Sequence, residues 1–491
     1  LSILRKGKLK PQPSDVIEFT SSIKSDIHLI DAVIDINKAH VVMLAKQGIV
    51  ESKDAAVILK ALSKLDSRMP LDPSLEDVHM NVEAVVLKEV GEEVGGNLHV
   101  AKSRNDQVSA ALRMTLRGYL LKILQALNDL QAALLKVAER HVSAILPGYS
   151  HLQQAQPTTV ASHFLAYHDA IERVKRRLMG TYGTVNLSPM GACAVAGTSF
   201  PIDRQLVANL LGFDGLVESS IDAVSNRDFI IATLADFSLI MNHLSRFSGE
   251  LILWTTSEFG FVSLPDKFVS TSSIMPQKRN PVVLEVIRAR AAQVYGNLHA
   301  TLSTLHGLPS GYSLDFQEVN PLLWDACERV LSSTRAMTKL VSSLEFDEKR
   351  IRDALVSFTM ATDLANELVK KFKLPFRTAY HVVGSIVNML QKEGRSLRDL
   401  NARTLMTATE KVAGVKLNIR DEDIKRVVNV EASVASKTSR GGTAPTEVER
   451  MLKERVKELS VDVSWCRNEE KFLGKAKRKL EEAVRGLIQK T

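Results

Sequence analysis

Residues 106 to 146 contain no proline and a single glycine, Gly118, and this constrains the fold more than any other feature of the chain. Leu112, Leu116, Tyr119, Ile123, Leu127, Leu130, Leu134 and Val137 recur at steps of three and four, the spacing of one helical face. At 1.5 Å per residue such a helix reaches roughly 60 Å, and Pro147-Gly148 would end it. A rod of that length outgrows a small globule and belongs in a bundle. Comparable blocks run over 158–179, 227–259, 281–305 and 320–344. Residues 1–105 read as a smaller cap of shorter helices, broken at Pro70 and Pro73. After residue 345 the helices shorten again, with a break at Lys373-Leu374-Pro375 and a turn at Gly441-Gly442. The expectation is an all-α protein: an N-terminal helical domain over 1–105, a central long-helix bundle over 106–345 and a C-terminal helical domain over 346–491.

Composition narrows the class. A chain of 491 residues is too long for one compact core. It is 45% hydrophobic and only 5% aromatic, so its core is aliphatic, which suits packed helices better than sheets. Cys193, Cys327 and Cys466 are odd in number and widely spaced, which indicates neither a disulfide framework nor a zinc site and fits a reducing cytoplasm. No run is apolar and long enough to cross a bilayer, so no membrane role is expected. The net charge of +8 raises the question of nucleic acid. The charge is spread along the chain without interleaved aromatic residues, so nucleic acid is not expected and attraction of small anions is.

Four polar segments carry the chemistry. Ser272 to Pro281 reads S-S-I-M-P-Q-K-R-N-P. Pro276 excludes regular structure, and Asn280-Pro281 has the form of a helix start, Asn as cap and Pro at the first position. A hydroxyl, Lys278 and a helix N-terminus thus gather where they stabilise negative charge. Ser103-Arg104-Asn105-Asp106-Gln107 precedes the long helix; a cap explains Ser103 and Asp106 but does not need Arg104, and the set makes a carboxylate cradle. Gly148 to Pro157 places His151 among Ser150, Gln153, Gln154 and Gln156 in a loop between helices, a histidine suited to proton exchange if the loop lines a polar cavity. Glu285, one turn past Pro281, either complements the helix dipole or orients a histidine.

Together these segments resemble the argininosuccinate lyases of the fumarase/aspartase superfamily. The superfamily loop pattern G-S-S-x-M-P-x-K-x-N is matched throughout except that Thr271 replaces the glycine. Ser103-Arg104-Asn105-Asp106-Gln107-Val108, Ser150-His151-Leu152-Gln153, Ala361-Thr362-Asp363-Leu364-Ala365, Pro375-Phe376-Arg377 and Gly441-Gly442-Thr443-Ala444-Pro445 favour this branch. The similarity runs from about Ser21 to about Glu449. Asn320 stands where many members carry a lysine that helps hold a carboxylate, and Asn226 where aspartate is common.

The resemblance implies reversible elimination of fumarate from argininosuccinate through an aci-carboxylate, with arginine as the other product and no metal or organic cofactor. It implies Ser272 as base, His151 with Glu285 as the acid, and Lys278 stabilising the doubly charged intermediate. Ser103, Arg104, Asn105, Ser150, Gln277 and Asn280 would hold carboxylates or the charge that develops on them; Ser22, Arg227, Tyr312 and Gln317 would hold the rest of the substrate. It also implies a homotetramer whose core is made of packed bundles, each active site shared among subunits. Two rivals remain at this point: another fumarate-forming lyase, chiefly adenylosuccinate lyase, and a crystallin-like structural protein on the same scaffold.

Overall fold

The computed structural model describes residues 10, 12–355 and 358–490; residues 1–9 of the expected N-terminal domain lie outside this range. The architecture is all-α. Five long helices form the bundle: α1 (Arg104–Arg140), α2 (Val160–Val185), α3 (Asp228–Trp254), α4 (Val282–Leu305) and α5 (Asp315–Val341). Shorter helices, Ile30–Lys46, Ser52–Leu62 and Val78–Val90 among them, close one end. A sixth long helix, α6 (Pro445–Gln489), begins with proline at a position where no N–H is needed.

The apolar stripe foreseen along α1 is buried, from Leu112 and Leu116 to Leu134 and Val137. Ser103 caps the helix in a box with Asp106, satisfying donors at both positions. The helix ends at Arg140 rather than Leu146. Ile145–Ser150 forms β1, antiparallel to β2 (Gln153–Thr159), with Ile145 opposite Thr159 and Ser150 opposite Gln153. Proline at 147 disfavours helix at the preceding residue, and pairing with β2 supplies the hydrogen bonds the helix would have made. His151 and Leu152, expected in a loop between helices, are instead the two tip residues of this hairpin, with φ of 55° and 57°. Both lie in the left-handed region, the requirement of a tight two-residue turn.

Two further boundaries shift. Asn280 does not cap α4: it is extended in β4 (Arg279–Asn280), paired with β3 (Ser270–Thr271), and Pro281 takes the cap position. The carbonyl of Pro281 accepts from the N–H groups of Leu284 and Glu285, so the helix N-terminus stays at the end of the loop. α5 starts at Asp315 and runs through Pro321, which sequence reading placed at its first turn.

Residues 355–430 enclose an apolar cluster of their own, built on Leu364, Leu368, Val382, Ile386 and Leu405. α6 packs elsewhere. It lies along α1 and α2 and reaches the helices Ile30–Lys46 and Ser52–Leu62, adding Val448, Cys466, Leu480 and Val484 to the main core. Charged contacts fix its register. Arg455 grips Asp169 with two parallel bonds of 2.6 and 2.5 Å. Lys175 of α2, almost fully buried, meets Asp462 at 2.5 Å, Glu172 at 2.8 Å, Gln131 at 2.6 Å and Asn128 at 3.1 Å.

Removing one member of such a buried set strands the others. Lys175→Ala is expected to cost about 3 kcal/mol or more in urea denaturation at fixed protein concentration. A loss below about 1 kcal/mol would show that the network does not hold α6 to the bundle.

Candidate active site

The residues expected in the site fall into three clusters within one chain. The first gathers at the N-terminus of α1. Arg104 donates from Nη1 to Asp77 Oδ2 at 2.6 Å, and Asp77 is held in turn as the cap of the helix Val78–Val90, its Oδ1 accepting from the Met80 N–H at 2.7 Å. Asn105 Nδ2 donates to the Ala194 carbonyl at 3.0 Å. Beneath them the Asp106 carboxylate accepts from the backbone of Ser103 (3.1 Å), Gly191 (3.1 Å) and Cys193 (2.9 Å), tying the Ser103–Asn105 segment to the 191–194 loop. Ser22 enters beside it, its hydroxyl donating to Asp26 Oδ2 at 2.7 Å.

Arg227, Tyr312 and Gln317 complete this cluster. The Tyr312 side chain is hydrogen-bonded with Gln317 and lies in the field of Arg227, Asp77 and Asp26; burial raises its phenol pKa. Arg227 is fully enclosed, its guanidinium stacked 4.4 Å over the Phe316 ring. Its Nη1 is satisfied by the Asn226 and Val224 carbonyls, whereas Nε and Nη2 have no protein partner. The Nε of Arg104 and both ring nitrogens of buried His79 are unpartnered as well. Burial pushes His79 down to about 4, so its ring is neutral near pH 7. Buried polar groups are normally paired, so these unpartnered groups set the cluster apart from an ordinary packed core.

The second cluster is the hairpin tip. Ser150 and His151 are exposed there, and His151 has no hydrogen-bond partner among the described residues. The third is the turn between β3 and β4. Ser272 Oγ accepts from the N–H groups of Ile274 (3.3 Å) and Met275 (3.1 Å), and Gln277 and Lys278 extend into solvent. Arg279 anchors the base of the turn to Asp266 at 2.7 Å and to the Leu264 carbonyl at 2.8 Å. Glu285 is exposed on the first turn of α4.

The first cluster lies far from the other two. α1 has 37 residues, about 55 Å of helix, with Arg104 at one end and the hairpin departing from the other. α4 has 24 residues, about 36 Å, with the Ser272 turn before it and Tyr312 after it. The expected His151–Glu285 pair is not formed within the chain, and no hydrogen bond or ion pair links any two clusters among the described residues. Among the described residues no group of three or more His, Cys, Asp or Glu is placed to hold an ion.

Sequence reading did not single out Asp26, Asp77 or His79. Asp77 had a legible signal, an aspartate just before an apolar helical run. Asp26 and His79 had none, because their roles come from burial by distant segments. Burial pushes the Asp26 carboxyl up to about 6, although Ser22 and the Val78 N–H donate to it. A folded-state value above the unfolded one means that the folded chain binds the extra proton between about pH 4 and 6. Stability from this group is therefore lost as pH rises through that window, and the penalty is complete above it. Asp26→Asn is expected to stabilise the protein by about 1–3 kcal/mol at pH 7.5 and by almost nothing at pH 4, read from thermal unfolding at both values. An equal gain at both would rule out the carboxylate charge as its cause.

Comparison with known proteins gives the family. A family model described as Lyase matches residues 8–296, and one described as Argininosuccinate lyase C-terminal matches 358–435. The chain is 40% identical to the argininosuccinate lyase of Methanothrix thermoacetophila over 484 residues, 98% of each chain. It is 40% identical to that of Aquifex aeolicus over 91% of this chain and 97% of the other. Among solved structures, an EDDS lyase in complex with formate superposes with a TM-score of 0.88 at 30% identity, covering 94% of this chain and 92% of that one. A 3-carboxy-cis,cis-muconate lactonizing enzyme from Pseudomonas putida shares the fold alone, with a TM-score of 0.71 at 20% identity over 89% and 95% of the two chains. A cradle capped at the head of a long bundle helix, the matched family models and full-length similarity place the chain in the argininosuccinate lyase family.

Proposed function

We propose that this enzyme eliminates fumarate from argininosuccinate and releases arginine, the closing step of arginine biosynthesis. The observation that carries the proposal is the Ser103–Asn105 cradle, where half-buried Arg104 and buried Arg227 and His79 keep polar atoms without protein partners. Cations and amides at a helix N-terminus fit a dicarboxylate, and the orphaned donors supply the hydrogen bonds it requires. A related EDDS lyase variant has been solved with bound fumarate.

The reaction removes a proton from the carbon next to a carboxylate and breaks the adjacent C–N bond. Ser272 takes the proton, and Lys278 with the N-terminus of α4 lowers the energy of the alkoxide and of the aci-carboxylate. The C–N electron pair leaves with nitrogen, which collects a proton from His151, oriented by Glu285. Ser103, Arg104, Asn105, Ser150, Gln277 and Asn280 hold the carboxylates; Ser22, Arg227, Tyr312 and Gln317 hold the guanidino and amino-acid half.

A homotetramer brings these groups together. Because each chain keeps its cradle at the opposite end of rigid helices from its hairpin and its Ser272 turn, a complete site needs more than one chain. α4 offers the surface for it. Only the stripe Leu284, Ile287, Ala291, Val294 and Thr301 is buried, while Val286, Tyr295 and Leu302 stay bare. Antiparallel packing of such helices about two-fold axes covers the apolar surface and sets one chain's Ser272 turn beside another's cradle. All three cysteines are free thiols, in keeping with a cytoplasmic enzyme.

Fumarate absorbance tests the assignment directly: argininosuccinate should give signal, and adenylosuccinate and ethylenediamine disuccinate should give none. Turnover of either of those in place of argininosuccinate would reassign the nitrogen substrate. Ser272→Ala should bind argininosuccinate yet lose nearly all turnover, since the hydroxyl acts only in the transition state. Retention of more than about a tenth of wild-type turnover would remove Ser272 as the base. Mixed His151→Ala and Ser272→Ala chains, unfolded and reassembled together, should recover activity in roughly a quarter of sites, given independent choice of neighbours. No activity above either parent would refute sharing of sites between chains.

A further inference from the structure

Immediately before the cradle sits a cation that the protein leaves without a counter-ion. Lys102 is buried, with 7% of its surface exposed. Its ammonium donates to Asn37 Oδ1, and Asn37 is fixed by its own amide, which donates to the Val33 carbonyl at 2.8 Å. Among the described residues no carboxylate lies within ion-pair distance of Lys102. Several titratable groups face it. His40 comes from the helix Ile30–Lys46, its Nε2 2.7 Å from the Val100 carbonyl. His79 and Glu83 come from Val78–Val90, His99 from the turn before the cradle, and Arg104 and Asp106 from α1. None pairs with it directly, although Asp106 and Glu83 favour its charge from a distance. Arg104 is bound to Asp77, Glu83 lies 3.9 Å from His99 and 4.0 Å from Arg104, and the Asp106 carboxylate is occupied by three backbone N–H groups.

A buried ammonium with one neutral acceptor is among the least favourable arrangements a fold can keep. Simple removal of charge would relieve it, so its presence calls for an anion that arrives later. The nearest surface built to receive one is the segment Ser103–Asn105, which follows Lys102 in the chain and borders the unpartnered Arg104 Nε and His79 nitrogens. We propose that Lys102 is an electrostatic positioning residue for the dicarboxylate: the carboxylates held through Ser103, Arg104 and Asn105 add to the counter-charge that Asp106 and Glu83 supply only from a distance. The low local dielectric strengthens this attraction across the intervening backbone. The assignment rests on the reading of the substrate as a fumarate-forming dicarboxylate. Desolvation, with Arg104 adding to it and Asp106 and Glu83 opposing it, brings Lys102 down to about 7, so its charge is half lost near neutral pH in the empty enzyme.

Lys102→Met and Lys102→Arg test this together, with argininosuccinate turnover, calorimetry of fumarate binding and melting of the unliganded protein as readouts. Lys102→Met should raise KM for argininosuccinate and Kd for fumarate about ten- to a hundredfold, the scale of one charge acting through partly solvated protein. Its kcat should stay within about threefold of wild type, because the charge acts on ground and transition states alike. Lys102→Arg should keep both constants near wild type. The unliganded Met variant should melt higher than wild type, since it no longer buries an unpaired charge. In wild type KM should climb as pH rises above about 7, where the ammonium is lost, and in Lys102→Met that climb should vanish. Wild-type KM and Kd in the Met variant would overturn the proposal. So would equal losses in both variants with a lower melting point for Met, which would make Lys102 a strut to Asn37 and nothing more. If the wild-type enzyme ignores argininosuccinate while Lys102→Met still weakens fumarate binding, Lys102 keeps its assignment and only the nitrogen substrate changes.

Discussion

A helix cannot fold back on itself, and the stiffness of α1 governs the molecule. Its 37 residues place the cradle at one end and the His151 hairpin at the other. α4 does the same for the Ser272 turn and the Tyr312 segment. The chemistry an elimination needs is therefore divided by tens of ångströms inside one chain, and no loop movement of ordinary size closes that gap. Rigid separation also has an advantage. Each cluster is held by the end of a packed helix, where caps and backbone pairing fix side-chain position more tightly than a long loop would.

The same rigidity lets the fold keep charges in poor surroundings. Arg227 is stacked on Phe316 and held by two carbonyls; Asp106 is buried yet answered by three N–H groups; Asp26 is buried beside Asp77. Structural ion pairs elsewhere are fully answered, as Lys175 is by Glu172 and Asp462. The contrast separates two uses of burial. Where the charged partners are present the network secures packing; where they are missing the proposed substrate would supply them.

Much of this was legible in the chain. The apolar steps of three and four from Leu112 to Val137 located α1, and Ser103 with Asp106 located its start. Short-range chemistry sets both, so both survive without tertiary knowledge. The hairpin was missed because Gly148 to Pro157 carries glutamines rather than a strand alternation, and its strands exist through pairing across the tip. The start of α4 moved by one residue because Asn280 was drawn into pairing with Ser270, a contact that local sequence does not encode. The choice of Ser22, Arg104, Arg227, Tyr312 and Gln317 followed from a family pattern, which did not foresee that Arg104 gathers with the other four; Asp26 and His79 became visible only when distant helices closed over them. Asn320 departs from the family lysine and is buried with its Oδ1 unpartnered, so α5 brings no positive charge to that position.

α6 bears on how the protein is made. Lys175 is translated well before Asp462 and the tyrosine-bound Glu469. Until α6 arrives, α1 and α2 present an open apolar groove with a lysine at its centre, a state that binds water and other chains more readily than itself. The bundle therefore cannot finish folding as it emerges. Its vulnerable period lasts through synthesis of the whole C-terminal cluster, and the cell's chaperones meet the α1–α2 groove before the final helix does.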